Sequence, residues 1–245
     1  MEFFFEIHKD LPREGPGDNA STRRALKLMT DLPERPAMLD VGCGPGVQTL
    51  ELARVTGGTL TAVDTHQPFL DRLQAQVEEE GLANQITTLN QSMKALDFPN
   101  GSFDAIWSEG AIYIMGFSEG LSAWKRLLKP GGRIAITEAT WLKPDPPKEI
   151  ADFWNGAYPA MTTVEENLKT IESLGYRLRG YFTLPESCWL EEYYAPMLER
   201  VAMLRLKYAD DVEKQAMLDE ELVEVELYRK YSDWYGYEFY VMQAE

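Results

Sequence analysis

The chain has 245 residues, 44% hydrophobic and 26% charged, enough to bury one substantial α/β core with an appended subdomain. Its 24 Lys and Arg against 40 Asp and Glu leave a net charge of −16, which repels phosphate backbones and disfavours nucleic-acid substrates. Two cysteines, Cys43 and Cys188, supply no disulfide scaffold or cysteine zinc site, and the longest apolar stretches are strand length, so a cytoplasmic protein without signal peptide or membrane insertion is expected.

Residues 1–18 read as a leader containing Gly15-Pro16-Gly17, after which Asp18 or Ser21 caps a helix to about Asp31. Met38 to Ala53, MLDVGCGPGVQTLELA, reads as a strand to Val41, a glycine turn and a helix from Val47 to Val55. Glycines there free the backbone for positive φ and close approach, and the helix that follows offers unpaired N–H groups and a positive dipole end. An anionic or adenosyl-bearing ligand is expected at that turn. The strand Thr59 to Val63 then delivers Asp64, 22 positions after Gly42, where a carboxylate can accept hydrogen bonds from both ribose hydroxyls.

A helix from Pro68 to Glu80 leads to a third strand at Ile86 to Ser92 (ITTLNQS) and a fourth at Phe103 to Glu109 (FDAIWSE). A helix from Ser118 to Leu128 and a strand from Arg133 to Glu138 complete an alternation that demands a mainly parallel sheet with right-handed crossovers. Beyond Ala139 comes a segment rich in proline and aromatics, then a helix Val164 to Leu174, a strand Arg177 to Thr183 and a terminal strand Tyr237 to Met242. Between the last two strands, Leu190, Tyr194, Met197, Val201, Leu204 and Tyr208 repeat at threes and fours, as do Met217, Leu218, Leu222, Val225, Leu227 and Tyr231. This periodicity predicts a helical cap over the carboxyl edge of the sheet, where ligands bind in open α/β folds.

The glycine spacing Asp40-x-Gly42-x-Gly44-x-Gly46 departs from the dinucleotide fingerprint, whose third glycine would fall at Val47. It resembles the motif of class I S-adenosylmethionine-dependent methyltransferases, as do ITTLNQS, FDAIWSE and LLKPGGRIAITE (Leu127 to Glu138) in that order. An NAD-binding domain, which shares the acidic residue after the second strand, is the competing reading. The resemblance implies an α/β Rossmann-like fold with a mostly parallel seven-stranded sheet and a helical cap inserted before the last strand. It divides a single methyltransferase domain, 1–245, into leader and helix 1–35, cofactor-binding core 36–139, substrate-side segment and sixth strand 140–185, cap 186–234 and last strand 235–245. S-adenosyl-L-methionine is the implied cofactor. Its implied contacts are Asp40, Gly42, Cys43, Gly44 and Gly46 around the turn, and Asp64, Thr65 and His66 after the second strand. Ser92 and Met93 fall where the family places its adenine contacts, and Glu109 closes the set. More narrowly, WSEGAIY, DFWNGAYP, PESCW and YGYEFYVM resemble an uncharacterised bacterial group of methyltransferase-like proteins, which brings no substrate with it.

Methyl transfer from a sulfonium gains much of its rate from holding donor and acceptor in line, and a base is optional. The catalytic candidates are Glu109, after the fourth strand, and Tyr113, about one helical turn later, with Glu138 a weaker one on the same wall. His66 follows the ribose turn and reads as pocket lining or a helix cap, while His8 reaches the site only if the leader folds inward. No metal site is expected. Trp141, Trp154, Tyr158, Trp189, Tyr193 and Tyr194 fall in the segments predicted to cover the cleft, where aromatic faces and carboxylates suit amines. A small-molecule acceptor methylated on nitrogen is therefore expected, and no oligomeric state is assigned. A non-catalytic S-adenosylmethionine/S-adenosylhomocysteine-binding module, a quinone-like C-methyltransferase and a protein methyltransferase are the alternatives.

Overall fold

In a computed structural model, which describes residues 2–245, the apolar runs form strands whose alternate side chains enter two separate cores. On the fourth strand Ile106 belongs to one apolar cluster and Trp107 to the other, and on the last strand Tyr240 and Phe239 divide in the same way. The elements in chain order are α1 (Glu2–Ile7), α2 (Asn19–Leu28), β1 (Ala37–Val41), α3 (Val47–Thr56), β2 (Thr59–Asp64), α4 (Gln67–Glu79), β3 (Ile86–Asn90) and β4 (Phe103–Ser108). A 3-10 turn at Ile112–Ile114 precedes α5 (Phe117–Lys125), β5 (Leu128–Trp141), α6 (Lys148–Ala157), β6 (Thr162–Thr163), α7 (Val164–Ser173) and β7 (Tyr176–Thr183). The cap comprises α8 (Glu186–Trp189), a π-helical turn at Leu190–Tyr194, α9 (Ala195–Lys207) and α10 (Val212–Tyr231), and β8 (Tyr235–Ala244) follows.

The sheet runs β3-β2-β1-β4-β5-β8-β7, parallel through β5, with β8 antiparallel to both of its neighbours. The seven-stranded path is the expected one, and the two-residue β6 adds an eighth strand by pairing with the end of β5. Cap residues Trp189, Met197, Val201, Leu204, Leu218 and Val225 are buried in the same apolar cluster as Trp107 and Phe239. Burying these side chains is what holds the cap on the sheet, at roughly 1.5–3 kcal/mol for each large aliphatic residue.

Several boundaries differ from the sequence expectation. Asp18 does cap α2, its side chain accepting from the Ser21 N–H at 2.6 Å, but the helix stops at Leu28, three residues short of Asp31. The leader contains a helix of its own, α1, which docks on the cap: Phe3 meets Tyr208 edge-on at 5.5 Å, and Lys207 Nζ donates to Glu6 at 2.5 Å. Residue 1 of the leader lies outside the described residues. Helix α5 ends at Lys125 rather than Leu128, because β5 already begins at Leu128 and runs on to Trp141. Helix α6 was not expected. Pro147 at its start, which reads as a loop signal in sequence, fits the first turn, where no N–H is needed. Among the described residues no helix is long and apolar enough to cross a membrane.

Candidate functional site

Strand β1 ends at Val41 and the chain reverses through Gly42 to Gly46 before α3 starts. The N–H groups of Gly42 and Cys43 both donate to the Val63 carbonyl, at 2.9 and 3.0 Å, which welds the turn to β2. Gly42 has φ +71° and a Cβ there would overlap that of Ala111, while at Gly46, φ +82°, a Cβ would strike the Leu73 side chain. Only glycine satisfies both the dihedral and the space.

Asp40 lies behind this turn, away from the cleft wall. It is fully buried, accepts from Thr49 Oγ1 at 2.5 Å and Gln48 Nε2 at 3.2 Å, and burial pushes its carboxyl up to about 7. Gln48 also donates to the Cys43 carbonyl at 2.9 Å, so Asp40 acts on the turn through Gln48. Gly46 likewise shapes the turn from behind, facing Leu73.

A cleft of about 490 Å³ opens in front, within the usual range for small-molecule sites. Gly42, Cys43 and Gly44 form one wall, and Asp64, Thr65 and His66 the next. Ser92 and Met93 face them, and Glu109 and Tyr113 close the remaining side. Asp64 Oδ2 accepts from the Gly44 N–H at 3.0 Å and Oδ1 from the His66 N–H at 2.8 Å. Each oxygen can accept a second hydrogen bond, so the carboxylate is fixed in place with capacity left for a ligand diol. His66 is the residue before α4, and its ring stacks on Phe5 at 3.8 Å and meets Phe69 at 4.4 Å.

The leader also lines the cleft, through Phe5, Arg13, Glu14, Gly15 and Pro16. Arg13 Nη1 pairs with Glu109 Oε2 at 3.1 Å, the two side chains being only 7% and 6% exposed. Thr22 Oγ1 and Trp107 Nε1 each donate to Glu109 Oε1 at 2.8 Å. The expectation that Glu109 takes a substrate proton meets this geometry: three donors already occupy the carboxylate, which ties leader, α2 and β4 together. Arg13 Nη2 extends the network to Asn19 at 2.8 Å, and Asn19 to Glu51 at 3.2 Å. Tyr113 is about half exposed on the cleft, and burial of its ring beside Glu224 and Glu138 raises its phenol pKa, so it stays a neutral phenol at physiological pH.

The cap aromatics divide. Trp189 is fully enclosed, stacked on Tyr228 at 4.4 Å with its ring edge-on to Tyr237 at 5.0 Å, and Tyr194 packs beside it at 5.9 Å. Trp154 and Trp141 pack on Tyr235 at 5.1 and 6.3 Å. Trp189, Tyr194 and Trp154 are buried and Trp141 is partly so, and none of the four is among the residues that line the cleft. Tyr158 meets Tyr113 at 5.9 Å and donates to Glu138 Oε1 at 2.5 Å, and Tyr193 lies 6.3 Å from His8. His8 is buried in the folded-in leader, its Nδ1 3.1 Å from Glu14. Sequence reasoning missed Arg13, Glu14, Tyr237 and Glu224. Glu221 and Glu224 did carry a signal, since they interrupt the apolar stripe of Leu218, Leu222, Val225 and Tyr228 along α10.

Residues 38–132, which span β1 to the start of β5, match a family profile described as a methyltransferase domain. That stretch therefore resembles a methyltransferase domain, and the whole chain has the fold of methyltransferases of known structure. The same fold is seen in YjhP from E. coli, 21% identical with a TM-score of 0.86 over 100% of both chains. It is also seen in a S-adenosyl-L-methionine-dependent methyltransferase from Geobacter sulfurreducens solved with S-adenosyl-L-homocysteine, 21% identical with a TM-score of 0.83 over 100% of this chain and 98% of that one. By sequence the chain is 30% identical over 169 residues to a sterol 24-C-methyltransferase of Yarrowia lipolytica, covering 64% of this chain and 44% of that protein. The chain spans less than half the length of the first sterol methyltransferases it matches.

Proposed function

We propose that this protein is an S-adenosylmethionine-dependent methyltransferase that modifies a small molecule on nitrogen. The observation that carries the reading is the Gly42–Gly44 turn hydrogen-bonded to the anchored Asp64 carboxylate, both on the wall of a cleft of nucleoside size. The residues present fit the cofactor. Asp64 would take the ribose hydroxyls, the Gly42–Gly44 backbone would lie against the sulfonium arm, and Ser92 and Met93 would border the adenine. Arg13, held by Glu109, would meet the carboxylate of the methionine arm, a charge-assisted pairing. When bound, the cofactor supplies an electrophilic methyl group.

This chain's own residues bind, orient and exclude water. Glu109 acts as a positioning residue for Arg13, and Tyr113 as a wall of the acceptor space and a hydrogen-bond partner. With Glu109 occupied and Tyr113 a neutral phenol, the transfer relies on placement of a nucleophile that arrives with its own lone pair, which suits an amine. A second reading, methylation of carbon, draws on the curated relatives named as sterol 24-C-methyltransferases.

Calorimetric titration of S-adenosylmethionine, S-adenosylhomocysteine and NADH tests the cofactor. Micromolar binding of both sulfur nucleosides without NADH is expected. Methyl acceptance is then read across amines, thiols, phenols and sterol or quinone carbons. Turnover of thiols or phenols with no amine would defeat the nitrogen assignment, and turnover of a carbon acceptor alone would select the second reading.

A further inference from the structure

Among the buried carboxylates, Glu109 sits beside Arg13 at 3.1 Å and Glu51 beside Arg23 at 2.5 Å, while Asp40 and Glu238 accept from neutral donors. Glu138 also lacks a cation, and it lies next to the cleft. It is 3% exposed on β5, its Oε1 accepts from the Tyr158 hydroxyl at 2.5 Å, and among the described residues that hydroxyl is its one side-chain hydrogen-bond partner and no Lys or Arg pairs with it. Charge buried without a counterion is unfavourable, and here only the Tyr158 hydroxyl relieves it.

The surroundings are aromatic. Tyr113 meets Tyr158 edge-on at 5.9 Å and also lines the cofactor cleft, so the space around Glu138 adjoins the cleft. Tyr237 closes another side. It lies against Gly110, where a Cβ would stand 3.3 Å from its ring, and Gly110 is itself on the cleft wall. The other charged groups near these rings are also acidic: Glu224, held by the Tyr194 hydroxyl at 2.7 Å, is near Tyr113 and Tyr237, and Glu119 is near Tyr158. Glu221 and His8 lie beyond Glu224.

We infer that Glu138, with the rings of Tyr113, Tyr158 and Tyr237, binds an ammonium or amine group of the methyl acceptor. The inference rests on the methyltransferase reading and adds to it the group that recognises the substrate. An amine brings N–H donors to that carboxylate, and as a cation it also gains from tyrosine faces, whereas an alcohol of the same shape supplies one donor and no charge. Burial pushes Glu138 up to about 7, so in the absence of ligand it stands between its two protonation forms, and an entering cation draws it to the carboxylate.

The test uses the full chain with S-adenosylhomocysteine and reads saturation-transfer NMR for two isosteric pairs, n-butylamine with n-butanol and benzylamine with benzyl alcohol. Both amines are expected to bind about tenfold or more tightly than their alcohols, on the scale of a charge-assisted hydrogen bond. Glu138→Gln should abolish that preference while leaving S-adenosylhomocysteine affinity within about twofold, as expected for a change confined to the acceptor space. Tyr158→Phe, which keeps the ring, should retain part of it. Equal binding of amine and alcohol to the unaltered protein overturns the inference even if no variant folds, and so does a preference that survives in Glu138→Gln. Failure to bind S-adenosylhomocysteine would defeat the methyltransferase reading instead. The amine and alcohol comparison then proceeds without it.

Discussion

The two sides of the cleft treat carboxylates differently. On the nucleoside side Asp64 is pinned by two backbone N–H groups and Glu109 by Arg13, Thr22 and Trp107. On the proposed acceptor side Glu138 and Glu224 have, among the described residues, only tyrosine hydroxyls. The first side is complete in the free protein and so is preorganised for a ligand common to a whole fold class. The second is left short of positive charge, and a ligand that supplies it gains at that spot, which is how one scaffold acquires a particular substrate.

The sharpest way to break this contrast is to make the nucleoside side resemble the other. Arg13→Met strands a carboxylate that is 6% exposed, and should destabilise the protein by about 3–5 kcal/mol. At this chain length that lowers the melting temperature by roughly 6–20 °C. Adding Glu109→Gln should recover most of the loss in thermal melts, because the buried charge is then gone. If the single variant melts like the parent, the leader is not held by this pair.

Asp64→Ala comes next in size. Two charge-assisted hydrogen bonds to the ribose are lost, and cofactor affinity in calorimetry should fall by about 2–4 kcal/mol. An unchanged affinity would mean that the ribose is held elsewhere.

A smaller effect, common to both sides, depends on pH. Burial pushes Asp40, Glu138 and Glu238 up to about 7 from ordinary values near 4. Between these values the native state holds protons that the unfolded chain has released, so stability should fall as pH rises from about 4 to 7 and level off above. Glu238→Gln should flatten that slope by on the order of 1–2 kcal/mol in denaturant titrations at pH 5 and pH 8. A slope unaltered by the substitution would assign the titration to other groups. At the bottom of the scale, Lys169→Ala removes exposed pairs with Glu165 and Glu166 on α7, and its melting curve should overlay that of the parent.

The same contrast explains what could be read from sequence. The glycine turn and Asp64 were legible because local rules determine them: positive φ needs glycine, and an apolar run must end where the ligand begins. The order of strands followed from the same patterning. The grip of Arg13 on Glu109 was not legible, since 96 positions separate the partners and nothing local marks either as a member of a pair. The cap aromatics show a finer limit. Spacing at threes and fours placed Tyr194 on a helix, but spacing alone could not say that its ring enters the core while its hydroxyl meets Glu224, or that Tyr158, outside the cap, turns towards Glu138.

Strand β8 has a bearing on how the protein is made. It sits between β5 and β7, pairing Arg133 with Gln243 on one side and Tyr176 with Ala244 on the other, and among the described residues β7 has no other partner in the sheet. While the polypeptide emerges from the ribosome, the nucleotide-binding half can assemble from neighbouring segments as they appear. The far edge of β5 and the whole of β7 must wait with their backbone groups unpaired until residues 235–244 are synthesised and slot between them. Translation pauses or truncations before that point would therefore leave an adhesive, half-built sheet, prone to aggregate until β8 is in place.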